Sequence, residues 1–79
     1  MKQFVTLDKL APGARGTVRA LKCGNPHLRN KLLSLGIVPG RILEVSHFAP
    51  LGDPMTVKCT GFSLALRLSE ARCIDVIPS

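Results

Sequence analysis

Three cysteines and two histidines are the residues of this 79-residue chain best suited to hold a transition metal. Cys23 and His27 stand four apart, but Gly24, Asn25 and Pro26 between them mark a loop running into a helix start. His47 falls in a strand-like stretch with Leu43 and Val45. A transition-metal site takes three or four Cys, His or carboxylate ligands, and local spacing supplies two. Cys59 and Cys73 read as small buried apolar residues. The expectation is no intrinsic metal site and no cofactor; a metal shared across a dimer is the form such a site would take. Catalytic chemistry has as little to work with. No serine or cysteine sits in a nucleophile motif, and no glycine-rich loop cradles a phosphate. The five acids are scattered without an evident pair for acid–base work. No catalytic residue is assigned, and the chain is not expected to be an enzyme.

Charge is more informative. Eleven Lys and Arg face five Asp and Glu, a net +6. From Met1 to Arg41 eight basic residues meet one acid, Asp8, a balance of +7, whereas Ile42 to Ser79 balances at −1. An excess of this kind attracts an anionic partner, whether nucleic acid, a membrane surface or an acidic protein face, although it also serves plain solubility. Sequence-tolerant single-strand binding needs aromatic platforms beside the basic groove. The only aromatics are Phe4, Phe48 and Phe62, with no Trp or Tyr. Nucleic acid is therefore the alternative reading and not the expected one. The same scarcity argues against an aromatic-lined groove for proline-rich peptides.

The cysteine count is odd, with no repeated spacing, and the opening residues carry no apolar run of a secretory leader. No stretch approaches the ~18 apolar residues of a membrane span. A cytoplasmic protein with reduced thiols, no disulfide and no membrane insertion is expected.

The elements that must position these residues are short. One domain, 1–79, is all the length allows, and a chain this small buries only about 60% of its unfolded surface. Pro12-Gly13 suits a type II turn, followed by a strand near Gly16 to Lys22. Asn25 can cap a helix, with Pro26 at its first position. Leu28, Leu32 and Leu35 then repeat at i, i+4, i+7. Gly36 and Pro39 end it, which predicts a helix over Pro26 to Leu35. Pro39-Gly40 launches a strand over 41–48, with Leu43, Val45 and His47 on one face. The segment 49–54, with two prolines and a glycine, is a loop. Strands follow over 55–59 and 62–67, then a single helical turn at Ser69 to Ala71 and a last strand through Ile74 and Val76. About five antiparallel strands with one inserted helix close most economically as a small barrel.

Arg29-x-x-Leu32-x-x-Leu35-Gly36-Ile37-x-Pro39-Gly40, then Ala49-Pro50-Leu51-Gly52-Asp53-Pro54, Phe62 to Arg67 and Glu70-Ala71-x-x-Ile74-x-Val76 together resemble the ferrous iron transport protein A family, FeoA. The resemblance runs from about Leu7 to Ile77. It implies a mainly β, SH3-like barrel and a cytosolic accessory or regulatory role in ferrous iron uptake. Its implied partner is the membrane-embedded ferrous iron transporter FeoB, met on its cytosolic side. A related fold forms the C-terminal domain of iron-dependent repressors, but no DNA-binding helices are attached here, which favours the stand-alone form. A monomer or weak homodimer is expected, with a metal-responsive dimer as a further alternative. The partner-binding residues assigned are Arg19, Lys22, Arg29 and Lys31 as a basic face, with Leu51 and Asp53 presented by the proline-bounded loop.

Overall fold

The helix anticipated after Asn25 is present in the computed structural model, which describes residues 3–79. Met1 and Lys2, the second of which contributes to the basic excess, lie outside the described residues. Asn25 takes extended backbone angles and its side-chain oxygen accepts the His27 N–H at 2.9 Å, satisfying one of the donors a helix start leaves orphaned. The helix, α1, runs Pro26–Ser34. Leu32 is fully buried and Leu28 packs beside it, but Leu35 is left 37% exposed as the capping residue. Gly36 follows at φ 91°, a left-handed conformation that would strain a side chain. The chain reverses there, and Ile37 drops back into the core.

Six strands make one antiparallel sheet. They are β1 (Val5–Thr6), β2 (Arg15–Leu21), β3 (Ile42–Phe48), β4 (Met55–Cys59), β5 (Phe62–Leu66) and β6 (Ile74–Pro78), in the order β1-β6-β2-β3-β4-β5. The strand beyond the five anticipated is β1, two residues that pair Val5 with Val76 and Thr6 with Asp75. It is too short to show periodicity in sequence. A 3-10 turn, Leu7–Lys9, follows it and buries Leu7. A second short helix, α2 (Leu68–Ala71), precedes β6.

Alternation sets the core. Val18, Leu43, Val45, Met55, Val57, Leu66, Ile74 and Val76 point to one side, and Leu7, Leu32, Ile37 and Ala71 cover them. Two register shifts bend the sheet around this core. One lies between Val18 and Ala20 and makes Arg19 the extra residue; the other lies between Val45 and His47. The second shift reverses the face expected beyond Val45. His47 is exposed and Phe48 packs against the core.

The expected absence of a disulfide is also corrected. Cys23 and Cys73 are joined by a disulfide, with Cα atoms 5.0 Å apart although the residues lie 50 positions apart in sequence. The β2–β6 ladder brings them together: Leu21 pairs with Ile74, and the Lys22 N–H donates to the Cys73 carbonyl at 2.7 Å. Spacing along the chain carries no trace of that proximity. Cys59 is free and buried.

Candidate functional site

The loop between β3 and β4 is short and held at both ends. The Ala49 N–H donates to the Pro54 carbonyl at 2.9 Å, and the Gly52 N–H donates to the Ala49 carbonyl at 2.7 Å. Asp53 Oδ1 accepts the Leu68 N–H at 3.0 Å, tying the loop to the first turn of α2. The Asp53–Pro54 peptide is cis. At the tip stands Leu51, 96% exposed. An apolar side chain projected into water from an anchored backbone has little order left to lose on entering a partner's pocket. Of the two loop residues assigned to a partner, Leu51 is therefore presented outward, while a carboxylate oxygen of Asp53 is engaged within the fold.

The basic residues differ in the acids they meet within the fold. Arg19, pushed outward by its bulge, and Lys22 converge on Asp75. Arg19 Nη1 and Lys22 Nζ lie 3.7 and 3.6 Å from Oδ2 of this carboxylate. Asp75 is only 5% exposed, and Oδ2 has no hydrogen bond among the described residues, so the two cations balance its charge at ion-pair range. The Phe4 ring lies beneath them, 4.1 Å from the Arg19 guanidinium and 5.8 Å from the Lys22 ammonium. An open pocket of about 400 Å³ lies alongside, lined by Phe4, Val5, Thr6, Lys9, Lys22 and Asp75. Neither Phe4 nor Asp75 stands out in sequence, because Phe4 precedes any regular pattern and Asp75 sits in a run of apolar strand residues.

Arg29 and Lys31 are two positions apart on α1 and so project about 200° apart around the helix axis. Lys31 Nζ donates to Glu70 Oε2 at 2.9 Å. The other carboxylate oxygen of Glu70 accepts the Arg67 N–H at 2.9 Å, closing the start of α2. That N–H, and then Lys31, hold the Glu70 carboxyl below its ordinary range. Arg29 is exposed and makes no ion pair among the described residues. It stays free to meet an external acid.

For metals the geometry offers little. No three of the His, Cys, Asp and Glu side chains come together among the described residues. The sulfur of Cys23 is bonded to Cys73 and cannot join His27 as a ligand pair. His47 lies 3.4 Å from both the Ser46 and the Thr56 hydroxyls. Burial pushes the Cys59 thiol up, partly offset by Arg41, which keeps it in its unreactive protonated form. The exposed features near these residues are the anchored Leu51, Arg29 without an ion pair among the described residues, and the cationic cluster over Phe4.

The family model of the FeoA domain matches residues 5–78. The FeoA protein of Chlorobium tepidum is 40% identical, with 94% of this chain aligned to 70% of that one and a TM-score of 0.87. The FeoA of Stenotrophomonas maltophilia, solved with zinc, is 28% identical over 91% of this chain and 88% of its own, with a TM-score of 0.80. That protein is described as a prokaryotic SH3 domain and a candidate ferrous iron transport activating factor. A manganese-dependent transcriptional repressor shares the fold, with a TM-score of 0.91 at 21% identity, this chain spanning 38% of it. The six-stranded sheet with its two helices is accordingly an SH3-like fold.

Proposed function

The chain belongs to the FeoA domain family, and on that premise we propose that it is a non-enzymatic accessory subunit of ferrous iron uptake that docks on the cytosolic part of the FeoB transporter. The observation that carries the reading is Leu51, 96% exposed on a loop whose backbone is fixed at both ends. Leaving a leucine in water on an ordered loop gives the fold nothing. Burying it in a partner is worth about 1.5–3 kcal/mol.

Charge brings the partner in. The excess carried by residues 1–41 speeds encounter with an acidic surface and weakens with salt. Arg29 supplies a charge without an internal partner, and the Arg19–Lys22 cluster keeps a net positive charge after Asp75 is counted. Among the described residues no helix is long and apolar enough to cross a membrane. The contact is therefore with a part of the transporter that stands in water. On the cytosolic side thiols are kept reduced, so the Cys23–Cys73 pair is expected to open there while the apolar core holds the fold.

The test is binding of the purified protein to the cytosolic portion of its cognate transporter by calorimetry. Micromolar or tighter binding that weakens as salt rises is expected; no binding at low salt would refute the assignment.

A further inference from the structure

We propose that the free edge of β5 is a self-association surface, on which a second copy of this chain pairs its own β5 antiparallel to extend the sheet across a two-fold axis. β4 and β5 are joined by the two-residue loop Thr60-Gly61, and Cys59 stands opposite Phe62. In such a hairpin the pairs Cys59–Phe62, Val57–Leu64 and Met55–Leu66 exchange both backbone bonds. The N–H and C=O of Ser63 and Ala65 therefore point away from β4. β5 is the last strand of the sheet, and no backbone partner for Ser63 or Ala65 appears among the described residues.

Natural sheets protect such an edge with charge, proline or a covering element. The segment Phe62–Leu66 contains neither a charged residue nor a proline. Its pattern is instead self-complementary. Phe62, Leu64 and Leu66 alternate with the small, exposed Ser63 and Ala65. A two-fold axis through Leu64 places Ser63 opposite Ala65 of the copy at both ends, making four main-chain bonds. The same axis sets Leu64 against its equivalent and brings Phe62, 45% exposed, beside the copy's edge at the position of the buried Leu66. Electrostatics permits it, since residues 42–79 balance at −1 and the excess lies in the other half of the chain. Arg67, just past the strand, would face Gly61 of the copy and no like charge.

A five-residue edge buries much less than the roughly 1,000 Å² of a stable interface, so the dimer is weak, with a Kd of about 0.1–1 mM. Screening the +6 on each copy should tighten it, the opposite of the salt response expected for docking on an acidic partner.

The experiment is sedimentation equilibrium up to millimolar concentration, together with amide hydrogen exchange by NMR at the dilute and concentrated ends. The expected result is a monomer–dimer equilibrium that tightens with salt, with exchange at Ser63 and Ala65 slowing as the dimer forms. Ala65→Pro removes an outward N–H that no native bond uses and should leave the chain monomeric. If that variant misfolds, the exchange data on the unaltered protein decide alone. A monomer at every concentration, or a dimer whose Ser63 and Ala65 amides exchange freely, overturns the proposal.

Discussion

Leu51 and Asp53 lie two residues apart on one loop and do opposite work. Leu51 faces water, while the Asp53 carboxylate accepts the first free N–H of α2. Asp53→Ala should therefore destabilise the fold by about 1 kcal/mol, as loss of a helix-start acceptor does, while Asp53→Asn, which keeps the acceptor, retains most of it. Urea unfolding of the two variants checks this; equal losses would show that the carboxylate serves another purpose. The sequence marks a rigid loop through its two prolines and so identifies Leu51 as a side chain to be presented. It cannot show that Asp53 turns inward, because Leu68, its partner, is fifteen residues away. Arg19, Lys22 and Lys31 were legible as basic residues, but Asp75 and Glu70, which engage them, reach them only through the folded sheet and α2.

At the scale of elements, α2 depends on Glu70. Its carboxylate accepts the Arg67 N–H and the Lys31 ammonium, which lowers its pKa below the ordinary 4.5. A carboxyl depressed in the folded state adds stability that is fully present above its unfolded pKa and is lost as pH falls through the folded value. Glu70→Gln should then be less stable than the parent at pH 7, and the difference should shrink as pH falls below about 4.5. Thermal unfolding against pH reads this directly, and a difference independent of pH would contradict it. Helix α1 and strands β4 and β5 were legible because cap, proline and alternation agree over their whole length. The far end of β3 was not. A bulge inserts one residue without a sequence mark, and every side chain beyond it changes face, which is how Phe48 took the inward place expected of His47.

At the scale of the whole molecule, six strands and two helices close over a small core, and one covalent tie joins the approach to α1 to the start of β6. Cross-linking residues 50 apart restricts the unfolded chain, so reducing Cys23–Cys73 should lower stability by about 2–4 kcal/mol without abolishing the fold. Urea unfolding with and without reductant measures it, and a Cys23→Ser, Cys73→Ser variant should match the reduced form. The charge asymmetry was fully legible in sequence; folding sets Arg19 and Lys22 on Asp75, Lys31 on Glu70 and Arg15 on Glu44, and leaves Arg29 among the basic residues without an ion pair among the described residues. Lys31→Glu would disturb Glu70 as well as the surface, so the informative changes are Leu51→Ser and Arg29→Glu, neither of which breaks an internal contact. The most direct test of docking is the affinity of the parent and of Leu51→Ser for the cytosolic portion of the cognate ferrous iron transporter, measured at one salt concentration. Loss of a buried leucine predicts an affinity weakened about 10- to 100-fold with the thermal stability unchanged. Equal affinities would contradict the account.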